Sequence, residues 1–307
     1  MIRFVVGSRG SHLAKAQVRE YLAPVRAAFP DVEFRHRVIL EGGDRDRTAA
    51  LAEVSAAGGG SAFSSEQEAA LVRGEVDVVV HSLKDLPTAS PPGLLLLPPP
   101  GRADVRDALC GSTLADLPDG ARVGTGAPRR IAQLKYVRPD LEIVPIRGNV
   151  PPRLQKIRTM NLHAVVLAAA GVRRLGLDDQ IAEELPLDLF PPSPGQGALG
   201  IQVREDNAAI RELLAGVGDM AVHAAVRAER ALLAELHGGC SVPVGAHAVA
   251  GTDGMLTLHA QVTSLDGRRR VSGTLSGQSE EPEKLGTTLA GELLDQGAAD
   301  ILAEIRR

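Results

Sequence analysis

The sequence predicts an α/β protein with two α/β domains followed by a small α+β domain. Two observations lead to this prediction. Continuous apolar strands alternate with helical periodicity over most of the chain, and strict period-two alternation appears only near its end. At 307 residues the chain is also long enough to form two or three cores rather than one.

The first domain is predicted to begin with a strand over 3–8 and a helix whose apolar side chains recur at helical spacing. A second strand is predicted over 32–40, followed by a Gly/Ser-rich loop over 56–65. The next helix starts at Ser65, which has capping-box spacing to Glu68. The apolar residues of the first helix are Val18, Leu22, Val25 and Phe29.

A buried strand and three further strand-to-helix junctions follow. Residues 75–83 form a continuous apolar run, typical of a strand in a parallel sheet. Beyond it the pattern restarts, which predicts a second α/β domain over 103–192. The first junction helix is predicted to use Ile131, Leu134 and Val137 as its apolar face. The three junctions lie at 122–137, 142–157 and 164–176.

The last part of the chain has a different character. After a strand predicted at 198–204, residues 221–239 form an amphipathic helix that ends at two glycines. Residues 255–262 alternate with period two, and Asp-Gly pairs at 253–254 and 266–267 predict hairpin turns. These features predict an α+β domain over 220–307. The apolar side of its first helix carries Val222, Val226, Leu233 and Leu236.

Composition argues against several classes of function. Aromatic residues are 2% of the chain, tryptophan is absent and the formal charge is −4, so recognition of nucleic acid is not expected. The first ten residues lack the apolar stretch of a signal peptide, and the longest apolar run, 164–172, is well short of the roughly 20 residues that span a bilayer. We expect a cytoplasmic monomer that binds a small molecule and no membrane.

Basic residues occur at four junctions between a strand and a helix. The carboxyl ends of strands in α/β sheets bind ligands, helix N-termini favour anions, and guanidinium groups bind carboxylates. Any one of these residues alone would more often be a solvated surface charge. Their repetition predicts a polyanionic ligand in a cleft between the two α/β domains. The residues are Arg9 with Ser11, Lys84, Arg129 with Arg130, and Arg147 with Arg153.

Other candidate residues have more than one interpretation. His81, at the end of a buried strand, is either a hydrogen-bonded structural histidine or a catalytic one. Asp85 either caps the turn before Pro87 or serves as a carboxylate that holds a developing cation. Cys110 is predicted to be a small buried hydrophobe. No Walker motif is present, and the eight histidines show no metal-ligand spacing, so no metal site is expected.

Seven segments together resemble the hydroxymethylbilane synthase (porphobilinogen deaminase) family. The resemblance runs in the family's order from residue 7 to residue 246. The segments are GSRGSHLAKAQ, HSLKDLPT, VGTGAPRRIAQL, IRGNVPPRLQKI, LAAAGVRRLG, PSPGQGALGI and ERALLAELHGGCSVPVGA.

The resemblance implies two α/β domains like those of periplasmic binding proteins and a third domain that carries a cofactor. The first domain would be discontinuous, formed by 1–100 and 197–218. The resemblance also implies a transferase that condenses four porphobilinogen molecules head to tail, releases ammonia and yields hydroxymethylbilane in tetrapyrrole (porphyrin, haem) biosynthesis. A dipyrromethane cofactor would be bound covalently to Cys240 through a thioether. The alternative is a non-catalytic polyanion-binding module on the same scaffold.

The resemblance also assigns roles to individual residues. Asp85 matches the catalytic aspartate, which would stabilise the cation left when ammonia departs, and Phe63 lies on the family's loop over the cleft. The positions that would contact carboxylates of the cofactor and substrate are Arg9, Ser11, Lys84, Thr125, Arg129, Arg130, Arg147 and Arg153.

Several positions depart from the family's pattern. Gly60 and Ser65 replace loop lysines, and Gly126 and Ala127 replace residues with hydroxyl groups. Pro128 is predicted to occupy the first turn of a helix, and Pro152 replaces a threonine. These changes are expected to affect substrate affinity and chain elongation.

Overall fold

A computed structural model of the chain describes residues 2–40, 65–236 and 242–305. Most of the predicted loop at 56–65, with Gly60 and Phe63, lies outside these ranges, and so does Cys240. No helix in the described part of the chain is long and apolar enough to cross a membrane.

Thirteen strands and nine helices lie within the described residues. The strands are β1 Ile2–Ser8, β2 Val32–Val38, β3 Val78–Ser82, β4 Leu94–Leu97, β5 Asp107–Cys110, β6 Arg122–Gly124, β7 Glu142–Val144, β8 Ala164–Ala168, β9 Ile181–Glu184, β10 Leu199–Arg204, β11 Val244–Ala250, β12 Met255–Thr263 and β13 Arg270–Gln278. The helices are α1 His12–Ala28, α2 Ser65–Val72, α3 Pro128–Val137, α4 Val150–Thr159, α5 Ala169–Arg173, α6 Ala208–Ala215, α7 Met220–Glu235, α8 Pro282–Leu293 and α9 Ala299–Ile305.

The first of two compact units comprises Met1–Ala103 and Gly197–His223. Its five-stranded sheet has the order β2-β1-β3-β10-β4, in which β10 runs antiparallel to β3 and β4. The strand predicted at 198–204 therefore returns to this sheet, as expected. The helix α1 packs its predicted apolar side chains into the core, where Val18, Leu22 and Val25 are at most 2% exposed.

The second unit comprises Asp104–Gln196 and Ala224–Arg307 and contains two sheets. Its five-stranded sheet has the order β7-β6-β8-β5-β9, in which β5 is antiparallel to both neighbours. Both five-stranded sheets thus place an antiparallel strand in the fourth position. The predicted α/β class is confirmed.

The other sheet of the second unit is the antiparallel β11-β12-β13. Its two hairpin turns contain Gly254 and Gly267 with φ of +78° and +74°, which confirms the predicted Asp-Gly turns. Helices α8 and α7 pack on it through Leu285, Leu289 and Leu232. The predicted small α+β domain is confirmed, whereas the exact boundaries of the three domains stay a prediction.

The buried faces of α3 and α7 differ from the predicted apolar stripes. In α3, Leu134 is buried, but Ile131 and Val137 are only partly so, and two arginines and Gln133 are buried in their place. In α7 the buried face is formed largely by alanines and includes Glu229, whose side chain is 0% exposed. In both helices the buried charges and the amide have polar partners within the protein, which offset the cost of their burial.

Candidate functional site

In the first unit, four predicted site residues follow two adjacent parallel strands. Arg9 and Ser11 follow β1, and the hydroxyl oxygen of Ser11 accepts a hydrogen bond of 3.1 Å from the N–H of Ala14 to cap α1. Lys84 and Asp85 follow β3 in a single 3₁₀ turn. Because β1 and β3 are paired and parallel, their carboxyl ends lie at the same edge of the sheet.

His81 is a structural residue of this edge. Its Nε2 donates a hydrogen bond of 3.1 Å to Oε1 of Gln202, whose amide nitrogen in turn donates to Glu68 at the start of α2. Burial lowers the pKa of His81 to about 4, so the ring is neutral and acts as a donor. Of the two interpretations left open by the sequence, the structure favours the structural one.

In the second unit, Arg129 and Arg130 lie in the first turn of α3, which Pro128 begins as predicted. Both are almost completely buried, with 5% and 6% exposure. Asp107 of β5 pairs with both: its Oδ2 lies 2.8 Å from Nη1 of Arg129 and its Oδ1 lies 2.7 Å from Nη2 of Arg130. Burial alone would raise the pKa of Asp107, but the two guanidinium groups hold it well below its ordinary value.

Further acceptors hold the two arginines. Nη1 of Arg129 donates to Oε1 of Gln133 and to the carbonyl oxygen of Pro191, each at 2.9 Å. Gln133 also donates to that carbonyl, at 2.9 Å. Nη1 of Arg130 donates to the carbonyl oxygen of Val166 at 3.0 Å. These contacts offset the desolvation penalty of burying two guanidinium groups in α3.

Sequence reasoning missed three side chains of this cluster, namely Gln133 and two that lie outside α3. Asp107 begins a buried apolar strand, and Gln196 lies in the PGQG segment. The amide nitrogen of Gln196 donates to Oδ1 of Asp107 at 2.9 Å and to the carbonyl oxygen of Val105 at 2.7 Å. One feature of the sequence could have identified Asp107: it is an aspartate at the start of an otherwise apolar strand. A buried carboxylate needs a cationic partner.

The strand β11 packs directly against this arginine cluster. A Cβ atom at Gly245 would lie 2.4 Å from the carbonyl oxygen of Pro191 and 3.0 Å from Nε2 of Gln133, so only glycine fits. The segment 237–241, which carries Cys240, immediately precedes the residues that lead into β11.

Two more predicted arginines lie at the next junction of this sheet. Arg147 lies between β7 and α4, and its carbonyl oxygen accepts a hydrogen bond of 2.8 Å from Nζ of Lys156. Arg153 lies in the first turn of α4, and its Nε donates to the carbonyl oxygen of Gly148 at 2.6 Å. Both junctions are at the carboxyl ends of adjacent parallel strands, β6 and β7.

The backbone between β6 and α3 is closely packed. Thr125 is 1% exposed, and its Oγ1 accepts a hydrogen bond of 3.3 Å from the N–H of Ala127. A Cβ atom at Gly126 would lie 2.7 Å from the carbonyl oxygen of Ile146. A serine at this position would therefore force the backbone to shift, which accounts for the small residue here.

The donor chemistry of the second unit suits a ligand with several carboxylates. Within the described residues, Nε of Arg130 is buried and has no acceptor, and a bound carboxylate or a water molecule could satisfy it.

Burial raises the pKa of the free thiol of Cys110 to about 11, consistent with its predicted role in the core. No group of three or more His, Cys, Asp or Glu side chains in the described ranges could hold a metal ion.

Known proteins match the chain over almost its whole length. Residues 4–212 match the family model "Porphobilinogen deaminase, dipyromethane cofactor binding domain", and residues 223–295 match the model of the C-terminal domain of porphobilinogen deaminase. The porphobilinogen deaminase of Geobacter metallireducens is 47% identical over 302 residues, 98% of this chain and 94% of the relative. That of Carboxydothermus hydrogenoformans is 43% identical over 308 residues, 99% and 97% of the two chains.

Among solved structures, the probable amino-acid ABC transporter extracellular-binding protein ytmK from Bacillus subtilis is similar to this chain with a TM-score of 0.44. The two are 12% identical, and the match covers 71% of this chain and 90% of that one.

Proposed function

The chain belongs to the porphobilinogen deaminase family, and from this premise we propose how its own residues carry out the family's reaction. The enzyme is a transferase with a dipyrromethane cofactor. It condenses porphobilinogen, with release of ammonia, into hydroxymethylbilane for tetrapyrrole biosynthesis. The alternative of a non-catalytic polyanion-binding module is not favoured.

The arginines at the starts of α3 and α4 are the observation on which the assignment of the site depends. Each porphobilinogen brings an acetate and a propionate group, so a growing chain accumulates negative charge. We propose that Arg129, Arg130, Arg147 and Arg153 bind these carboxylates. Guanidinium groups bind carboxylates with two parallel hydrogen bonds, and partial burial strengthens those bonds.

We propose that residues of the first unit also bind the substrate. Arg9, Ser11 and Lys84 follow β1 and β3, at one edge of the sheet, where they would bind further carboxylates. Asp85 would accept hydrogen bonds from pyrrole N–H groups and hold the positive charge that develops on the substrate as ammonia leaves. A carboxylate fixed before the charge appears stabilises that charge without reorganisation.

We propose that Cys240 holds the cofactor through a thioether. When bound, the dipyrromethane supplies the pyrrole carbon to which the first substrate is joined. Two observations support the assignment: the C-terminal family match spans Cys240, and β11 packs its Gly245 against the residues that hold Arg129. The other cysteine, Cys110, is fully buried in β5 and is a poor nucleophile.

The structure describes some of the positions that depart from the family's pattern and leaves others outside the described residues. Gly126 fits the close approach of the carbonyl oxygen of Ile146 and Pro128 starts α3, so these two changes are compatible with the local fold. Gly60 lies outside the described residues, and Ser65 begins α2. The effect on substrate affinity expected from the loss of two loop lysines stays a prediction, as do the monomeric state, the cytoplasmic location and the role of Phe63.

The direct test is incubation of the purified protein with porphobilinogen. We expect release of about four ammonia molecules for each hydroxymethylbilane formed, the stoichiometry that the head-to-tail condensation requires. A polyanion-binding module would bind porphobilinogen without releasing ammonia, and that result would overturn the proposed function.

A further inference from the structure

Asp107 contacts both arginines of α3, although nothing in the family resemblance gives it a role. Its carboxylate is 0% exposed and lies between Arg129 and Arg130 at 2.8 and 2.7 Å. Gln196 adds a hydrogen bond of 2.9 Å to the same carboxylate. The cluster of two guanidinium groups and one carboxylate therefore has a net charge of one positive unit.

The contacts of Arg129 are all made from one end of its guanidinium group. Among the described residues, Nη1 of Arg129 donates hydrogen bonds to Gln133 and to the carbonyl oxygen of Pro191, and it lies 2.8 Å from Oδ2 of Asp107 as an ion pair without hydrogen-bond geometry. The parallel donors Nε and Nη2 form the edge that binds a carboxylate in the bidentate manner. Nε and Nη2 of Arg129 take part in none of these three contacts.

We infer that Asp107 is a positioning residue that orients Arg129 and Arg130 toward the carboxylates of the substrate and cofactor. This inference rests on the proposed function and extends it to a residue that touches no ligand. A carboxylate near a site for anions would by itself weaken the binding of an anion, because it removes one unit of positive charge. The presence of Asp107 is explained if the orientation it gives to the arginines adds more to the affinity for the anion than the lost positive charge takes away.

The two effects predict opposite results for Asp107→Asn, which keeps the shape and raises the net charge of the cluster by one unit. If the arginines act only through charge, KM for porphobilinogen falls. If Asp107 positions them, KM rises by about tenfold or more, the scale of a misplaced binding group. Asp107→Glu keeps the charge but moves the carboxylate, and it should also raise KM.

Asp104→Asn is a matched control. Asp104 lies three residues before Asp107 and also binds two arginines: its Oδ2 lies 2.6 Å from Nη2 of Arg106 and 2.5 Å from Nη1 of Arg173. It is partly exposed and contacts neither arginine of α3. We expect this variant to keep the KM and the cofactor content of the parent.

The experiment measures three quantities for each full-length variant: KM, the fraction of chains that carry dipyrromethane by intact mass, and the melting temperature. The inference predicts that Asp107→Asn raises KM and lowers the cofactor fraction, while Asp104→Asn changes neither. A lower melting temperature with parent KM and cofactor content would show a purely structural role and overturn the inference.

Three further outcomes are also decisive. If Asp107→Asn does not fold, Gln196→Met removes a neutral partner of the same carboxylate, and a parent-like KM in that variant would overturn the inference. A parent protein that carries no dipyrromethane and releases no ammonia would overturn the proposed function and this inference together. An active parent with an unaffected Asp107→Asn variant would overturn the inference alone.

Discussion

The carboxylate of Glu229 on α7 accepts a hydrogen bond of 2.7 Å from the backbone N–H of Gly195, 34 residues earlier in the chain. Its other oxygen accepts a hydrogen bond of 2.8 Å from the N–H of Ala248 in β11. A single buried side chain therefore joins the segment that precedes Gln196 to the strand that follows the cysteine segment. Both segments lead to the arginine cluster of α3.

Glu229→Gln should destabilise the second unit. An amide retains one acceptor oxygen, while its NH₂ group would face a backbone N–H. That backbone N–H would then lack its acceptor and face a second donor, at a cost of about 1–3 kcal/mol in the free energy of unfolding for each unsatisfied group. Glu235→Gln, at an exposed position at the end of the same helix, is the control. Equal urea midpoints for the two variants would show that the Glu229 contacts contribute little.

Arg147→Leu should impair chain elongation. If Arg147 neutralises a substrate carboxylate, its loss leaves a charge unpaired in a partly closed site, which costs several kcal/mol, whereas an exposed ion pair contributes about 0–1 kcal/mol. We expect a large rise in KM and an accumulation of incomplete pyrrole chains, detected by intact mass. Arg158→Leu, exposed near the end of α4, should behave like the parent. Parent-like elongation by Arg147→Leu would remove that arginine from the site.

Asp85→Asn tests mechanism rather than binding. The amide has nearly the shape of the carboxylate but lacks the charge that matches the developing cation. Turnover should fall by two or more orders of magnitude, on the scale of about 3–4 kcal/mol for one well-placed electrostatic group. The variant should retain its cofactor when this is supplied preassembled.

The measurement for Asp85→Asn is ammonia release at saturating porphobilinogen, with cofactor content checked by mass. Asp116→Asn, an exposed acid of the second unit, serves as the control. A fully loaded Asp85→Asn protein with parent turnover would leave Asp85 with only its role in the turn before Pro87.

The buried ring of His81 should make stability depend on pH. Its pKa is about 4 in the folded protein and 6.5 when unperturbed, so the unfolded chain binds more protons between these values. Stability is fully present above pH 6.5 and falls as the pH decreases toward 4, by up to about 3 kcal/mol from this residue. His36 and His259, whose pKa values burial also lowers, act in the same direction.

His81→Gln keeps a donor for Gln202 but cannot titrate. The urea midpoint of this variant should fall less between pH 7 and pH 5 than that of the parent. An NMR titration of the parent should show no protonation of His81 above pH 5. A midpoint near pH 6.5 in that titration would contradict the buried, neutral histidine.

Periodicity and turn chemistry predicted most of the fold. The apolar spacing of Val18, Leu22 and Val25 identified α1, and the Asp-Gly pair ending at Gly267 identified the β12–β13 turn, because burial of an apolar stripe and a positive φ at glycine are local requirements. The sequence predicts a strand at 198–204 but does not show which strands it pairs with. It could be assigned to the first sheet only through the family resemblance. Its pairing with β3 and β4 joins residues far apart in the chain.

The buried polar contacts of the site could not be predicted from local patterns. The sequence indicated Arg129 and Arg130 as basic residues at a strand end, and their partner Asp107 lies on a strand more than twenty residues earlier. Gln196 and Glu229 lie further along the chain, and their contacts depend on how β5, α3 and α7 pack in three dimensions. A buried charge is stable only with such partners, and a single sequence does not show which residues they are.

Attachment of a dipyrromethane cofactor to Cys240 can be measured as the intact mass of the protein after expression with substrate available. We predict a covalent increment equal to two condensed pyrroles on the parent and on Cys110→Ala, and the bare polypeptide mass for a folded Cys240→Ser. Cys110→Ala removes the other thiol, which is buried in β5 and plays no part in attachment. A Cys240→Ser protein that keeps the increment, or a parent that lacks it, would contradict the account.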